Sequence, residues 1–319
     1  MQDNNALVSS AATPAAVSSV HNDPLGRFLA GQLSDRTRRA YYTDLKEFFQ
    51  SDRINPEDVQ SITFDDIIDF RNGLAAIGRK RTTINRKLSS LKAFFRTMVA
   101  AGVIESNPAD KALVRGYRLD ENFAGKAIDK QALQQLFDVV AEEDDDLVRS
   151  RDTALLQVLT FGGLRRSEVA NMSWRDLSQE GVFYVLTLPD TKSGGSQDVK
   201  LQPVVVHHLQ EYRETLRLNR YSTEGKIFIS LSRNQSHGKP LTAQSVNGIV
   251  RRYARKAGLS QNITAHMFRH TCCTLSIEGG AKPQQVQAHL RHKDLKTTMR
   301  YYENRERLTD NASDYIRIG

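Results

Sequence analysis

Between His266 and Tyr302 the chain reads HMFRHTCCTLSIEGGAKPQQVQAHLRHKDLKTTMRYY, which puts His266, Arg269, His292 and the adjacent Tyr301 and Tyr302 into one short, helix-forming run. These residue types together suit a phosphodiester. An arginine offers a planar fork of donors to phosphate oxygens, and a histidine can move a proton near neutral pH. A phenol can act as nucleophile, but with a reference pKa of about 10 it attacks only beside a base or under strong cationic stabilisation. His266 and Arg269 are three residues apart, so a helix presents them on one face.

The same run also permits a metal reading. His266 and His270 have the i, i+4 spacing of a helical ligand pair, and Cys272 and Cys273 lie nearby. Against zinc, no Glu follows the first His, as it would in a zinc-protease helix, and adjacent cysteines on a helix diverge by about 100°. No metal is expected.

A second element lies upstream in FGGLRRSEVANMSWRDL, residues 161–177, where Arg165 follows a glycine pair and Glu168 sits one helical turn beyond it. The two elements together resemble the tyrosine recombinases, or phage-integrase family. Gly163-Leu164-Arg165-Arg166-Ser167-Glu168 resembles the family's first arginine box, and His266-Met267-Phe268-Arg269 its His-x-x-Arg box. From His292 to Tyr301 the spacing is nine residues, as in the family, and Thr297-Thr298-Met299-Arg300-Tyr301 is similar to its Thr-Thr-x-x-Tyr ending. On that spacing Tyr301 is the expected nucleophile, Tyr302 the competitor, and His289 a decoy for His292. One departure is Arg291, which stands where the family has glycine; a backbone of positive φ there would favour glycine over arginine.

The elements that must position these groups follow from periodicity and turn signals. Residues 1–22, rich in Ala, Ser and Val, read as a flexible arm. From 23 to 108 the pattern is helical. Ser34 can cap a helix carrying Tyr41, Leu45, Phe48 and Phe49, and a second helix follows Thr63. A third, over about 82–101, buries Ile84, Leu88, Leu91, Phe94, Phe95 and Met98. Arg79, Lys80, Arg81, Arg86 and Lys87 cluster at its start, where a helix entering a DNA groove would meet phosphates. Residues 109–127 read as a basic linker, and 128–319 as the catalytic domain, with a tail from 303. In that domain Asp129 caps a helix, residues 142–146 form an acidic loop, and a helix over RDTALLQVLTFG leads into Arg165. VFYVLTLPD and DVKLQPVVV then read as a β-hairpin whose tip carries Lys192. The fold class expected is multidomain and mainly α: a helical, SAM-like core-binding domain plus an α/β catalytic domain with a small antiparallel sheet.

With 319 residues, a net charge of +8, 39% hydrophobic residues and no amphipathic anchor or long apolar span, the composition favours a polyanionic partner, nucleic acid ahead of membrane. Two adjacent cysteines and no secretory segment suggest a reduced, cytoplasmic setting, nucleoid-associated if bacterial. In-line attack by a protein nucleophile on DNA needs cations on the non-bridging oxygens, supplied here by Arg165 and Arg269. The resemblance further implies His266 as proton acceptor, His292 as a hydrogen-bond donor to phosphate, Lys192 as general acid and a 3′-phosphotyrosyl bond on Tyr301. Glu168 is expected to orient Arg165. No cofactor is implied, because cations take the place of metal ions. The resemblance implies double-stranded DNA with specific recombination sites as the partner and strand exchange through a Holliday junction by a homotetramer on two sites; the tail from 303 either caps its own domain or, as in relatives, is exchanged between protomers. A type IB topoisomerase-like enzyme and a catalytically silent DNA-binding protein are the rival readings.

Overall fold

The computed structural model of the chain describes residues 23–119, 127–191, 195–259, 263–309 and 316. The expected N-terminal arm, Lys192, part of the linker and most of the tail beyond 309 lie outside the described residues. The chain divides into two compact units, Met1–Glu121 and Asn122–Gly319.

The first unit is helical: α1 (Pro24–Ala30), α2 (Asp35–Phe49), α3 (Pro56–Gln60), α4 (Phe64–Ala76) and α5 (Arg81–Ala100). Thr63 caps α4, accepting from the Asp66 N–H while the Asp66 carboxylate accepts from the Thr63 N–H, so two orphan donors are satisfied. Ser34 holds the N-cap position of α2, but its side chain makes no capping hydrogen bond. The long helix α5 is the centre of this unit. Its Leu91, Phe94, Phe95 and Met98 are fully buried, and Phe94 meets Phe28 of α1 edge-on at 5.5 Å between ring centroids.

Lys87 departs from the sequence expectation. It lies in the apolar stripe of α5, 5% exposed, with its ammonium donating to Asp44 at 3.1 Å and Glu47 at 2.7 Å on α2. A buried lysine needs such partners, and these take Lys87 out of the exposed basic cluster. Arg86 donates to the same Asp44 from a half-exposed position, whereas Arg79, Lys80 and Arg81 are exposed at the start of the helix.

The second unit opens with α6 (Lys130–Ala141), capped by Asp129, whose carboxylate accepts from the Ala132 N–H. The acidic stretch is more than a loop: Asp145 caps α7 (Asp146–Gly162), and Glu143 accepts from Lys256 and Tyr253. Leu155, Leu156, Val158 and Leu159 of α7 are all fully buried, as a helix enclosed on every side requires. After α8 (Arg166–Asn171) come a short 3₁₀ turn and an antiparallel meander, β1 (Leu177–Glu180), β2 (Phe183–Thr191) and β3 (Gly195–Leu201). Val185 faces Lys200 and Leu186 faces Val199 across β2 and β3, with a bulge between Leu188 and Thr191.

The β character assigned to Pro203–Val206 is corrected. These residues begin α9 (Pro203–Leu218), because a proline at the first helical position has its φ already set. Val205, Leu209, Tyr212 and Leu216 then recur at helical spacing on its buried face. The chain closes with α10 (Ala243–Lys256), α11 (Ala265–Glu278), α12 (Pro283–Leu290) and α13 (Leu295–Thr309). So the C-terminal run is three helices, and α13 carries on past residue 303, where a tail was expected. Among the described residues no helix is long and apolar enough to cross a membrane.

Candidate active site

Two left-handed turns build the site. α7 ends at Gly163, with φ 55°, and a Cβ there would lie 2.3 Å from Leu290 Cδ2 and 3.2 Å from Cys272 Sγ. Only glycine meets both demands. The turn delivers Arg165 in extended backbone as the N-cap of α8. Glu168 reaches back one turn: Oε2 accepts from the Arg165 N–H at 2.7 Å and Oε1 from its Nη1 at 2.6 Å. The sequence expectation that Glu168 orients Arg165 corresponds to this pair of contacts. Arg165 keeps 44% of its side chain exposed, against 8% for Glu168.

The second turn is at Arg291, which ends α12 with φ 56° and ψ 46°. An arginine thus occupies the backbone conformation that glycine favours. Its guanidinium is buried, donating from Nη2 to Glu168 Oε2 at 2.7 Å and from Nη1 to the His289 carbonyl at 3.1 Å. Burial opposes the charge of Glu168, but Arg291, and then Arg165, hold its carboxyl below the usual carboxylate range.

Between the turns stands Arg269, on α11 and 5% exposed. It donates to the Gly163 carbonyl at 2.7 Å and to the Leu290 carbonyl, so one guanidinium ties together the two loops that carry Arg165 and Arg291. Burial, then the neighbouring Arg165 and Arg291, pull its pKa down to about 10, which leaves it charged at neutral pH.

His266 is exposed on the first turn of α11, one turn from Arg269. The imidazole touching the Tyr301 hydroxyl is that of His270, through Nδ1, with the rings 5.7 Å apart. His266 packs edge-on against His270 at 4.7 Å, so the order in space is His266, His270, Tyr301. The i, i+4 spacing that suggested a metal pair was the signal for this arrangement. Tyr301 and Tyr302 both lean on a small core of Cys272, Cys273, Ile277, Val286 and Leu290. Burial pushes the two thiols up to about 11 and about 12, which keeps them protonated and inert.

His292 hydrogen-bonds Thr298 Oγ1 through Nδ1 at 2.9 Å, and its backbone N–H donates to the Gln287 carbonyl. Burial, followed by Arg269, Arg165, Arg291 and His266, lowers its pKa to about 4, so the ring is neutral at physiological pH. His289 is spent elsewhere, its Nε2–H donating to the Phe161 carbonyl at 2.8 Å. Arg165, Glu168, Arg269, Arg291 and His292 therefore share one electrostatic neighbourhood; His266 and His270 lie on the same α11 as Arg269, and Tyr301 meets His270 from α13. Among the described residues, the three-ligand grouping capable of holding a metal is His207, His208 and Glu211 on α9, a different set from the histidines and cysteines of α11.

Comparison with known proteins agrees with this architecture. The model of the "Phage integrase family" matches residues 126–307, and that of the "Phage integrase, N-terminal SAM-like domain" matches 28–102. Tyrosine recombinase XerC of Leptospira interrogans serovar copenhageni is 29% identical over 282 residues, covering 84% of this chain and 83% of that protein. Tyrosine recombinase XerC of Listeria monocytogenes serovar 1/2a is 30% identical over 271 residues, covering 84% and 87%. Among solved structures, a lambda integrase dimer bound to a COC′ core site aligns with TM-score 0.66 at 19% identity, over 93% of this chain and 98% of that one. The XerH recombinase bound to its difH substrate aligns with TM-score 0.61 at 19% identity, over 85% and 78%. The mainly helical fold with its three-stranded sheet is theirs, and the chain belongs to the phage integrase family of tyrosine recombinases.

Proposed function

We propose that this protein is a site-specific DNA recombinase that cuts and rejoins strands through a 3′-phosphotyrosyl bond on Tyr301. The observation that carries the reading is the phenol of Tyr301 held against His270 on the helix that also supplies Arg269. In the reaction the Tyr301 oxygen attacks phosphorus, its proton passes to an imidazole, and the 5′ oxygen leaves as a hydroxyl after protonation. Arg165 and Arg269 neutralise the non-bridging oxygens, each such donor contributing about 10²–10³ in rate. The family assigns the phenol's proton to His266. The hydroxyl contact supports His270 as the first acceptor, with His266 behind it. A neutral His292 donates a hydrogen bond to phosphate, and Lys192, between β2 and β3 in sequence, is the general acid.

Residues 23–108 serve as the core-binding domain, 128–319 as the catalytic domain and 109–127 as the linker. Arg79, Lys80 and Arg81, with Arg86 in part, supply phosphate contacts from the start of α5. XerH and lambda integrase bound to their sites support double-stranded DNA with recombination sites as the partner. Two sites held by a homotetramer, tail exchange between protomers and a Holliday-junction intermediate complete the proposal, in the cytoplasm and on the nucleoid if the source is bacterial. Recombinase relatives favour this reading over the topoisomerase-like and silent ones. Nicked, labelled duplexes from the DNA flanking the gene are the test. Wild type and Tyr302→Phe are expected to yield a denaturant-resistant adduct and Tyr301→Phe none; loss with Tyr302→Phe alone would move the nucleophile by one residue.

A further inference from the structure

Arg291 is neither a family signature residue nor explained by packing alone. Left-handed backbone strains an L-residue where glycine is at ease, and this arginine occupies it with its head group buried against Glu168. Glu168 serves two arginines at once. One is Arg291, 4% exposed and also fixed to the His289 carbonyl; the other is Arg165, 44% exposed at its side chain.

We infer that Arg291 is a positioning residue: it is the standing counter-ion of Glu168, and it lets the Arg165 guanidinium leave that carboxylate for the scissile phosphate. The inference rests on the recombinase reading. Arg165 Nη1 donates to Glu168 Oε1 at 2.6 Å. If Glu168 had no other charged partner, turning Arg165 to a phosphate would strand a buried carboxylate, an expensive loss. With Arg291 on Oε2, the carboxylate keeps an ion pair and the Arg165 backbone N–H throughout. Arg291 itself stays where it is, because both ends of its guanidinium are engaged below the surface. Arg269 is equally fixed, on the Gly163 and Leu290 carbonyls. Arg165 is thus the one exposed guanidinium of the three and the one able to swing.

The experiment compares wild type, Arg291→Gly, Glu168→Gln and the double variant of the full chain. Glycine suits the left-handed turn, so Arg291→Gly is expected to fold. Adduct formation on the nicked flanking duplexes should slow by about tenfold to a hundredfold in Arg291→Gly, below the loss of a direct donor, with gel-shift affinity unchanged. Adding Glu168→Gln should restore most of that rate, since a neutral amide no longer detains Arg165. A wild-type rate in Arg291→Gly, or a loss that Glu168→Gln does not relieve, overturns the inference. Absence of an adduct from wild type overturns the recombinase reading instead. In that event urea unfolding of the four proteins still decides whether the pairing exists: Glu168→Gln should destabilise wild type and spare Arg291→Gly. Additive effects would remove the counter-ion role.

Discussion

In each unit a buried carboxylate gathers cations, Asp44 in the first and Glu168 in the second, and the two networks end in opposite electrostatic states. In the first unit, Asp44 and Glu47 of α2 meet Arg86 and Lys87 of α5, two carboxylates against two cations, with Ser90 also donating to Asp44 Oδ2 at 2.6 Å. In the second unit, one carboxylate, Glu168, stands among the guanidiniums of Arg165, Arg291 and Arg269. The balanced network has no unmet demand and fastens two helices. The unbalanced one holds excess positive charge in a partly dry site, an arrangement stable only because Arg269 is hydrogen-bonded to carbonyls and Arg165 reaches water. Excess charge of this kind stabilises an anion that arrives later.

The largest test of that contrast removes Arg165. Arg165→Ala is expected to lower the adduct rate by about 10²–10³ while leaving the thermal midpoint nearly unchanged, because its side chain is half exposed. A large fall in the midpoint would mean that the second network is structural too. Next in size is Asp44→Ala, which leaves Lys87 buried beside Glu47 alone. Breaking such a pair costs about 3–5 kcal/mol, measurable by urea unfolding, whereas adduct chemistry on Tyr301 should persist in whatever fraction stays folded. If Asp44→Ala unfolds no more easily than wild type, Lys87 and Arg86 are solvated and the network is not closed.

Much of the second network was legible. The Gly-Leu-Arg box, the His-x-x-Arg pair and the nine-residue interval fix residue types at short spacings, which helix geometry converts directly into shared faces. What the sequence hid depends on contacts distant along the chain. Lys87 sits between Ile84 and Leu91 in the α5 stripe, a local sign of burial, but its partner on α2 is 43 residues away. Glu168 and Arg291 are 123 residues apart. β1 is not legible locally, because Leu-Ser-Gln-Glu has no apolar alternation and becomes a strand only by pairing with β2. Pro203 with three valines reads as strand until the proline is seen as the start of a helix. His270 was visible at i, i+4 from His266, and only the fold turns that spacing toward a phenol.

The excess charge also predicts a pH effect, of intermediate size. Folded His292 takes up its proton only near pH 4, since burial and then Arg269, Arg165, Arg291 and His266 oppose it, whereas the unfolded residue does so near 6.5. Between those values the unfolded state binds more protons, so stability falls as the pH falls. The urea midpoint should therefore drop from pH 6.5 toward 4, and His292→Gln should flatten that part of the curve. An unchanged slope would mean that the arginines are screened from the ring.

The smallest expected effect separates the two kinds of lysine within one helix. Lys80 is exposed at the N-cap of α5 and Lys87 is buried two turns further on, so charge at the first can meet a phosphate and charge at the second cannot. Neutralising one phosphate contact should change the slope of log Kobs against log[salt] by about 0.9. Lys80→Ala is expected to show that change at fixed fold. Lys87→Met, which keeps the volume of the stripe, should leave the slope as it is and act only on stability. Equal slopes for Lys80→Ala and wild type would take α5 out of the DNA contact, and a shallower slope for Lys87→Met would mean that Lys87 leaves Asp44 when DNA binds.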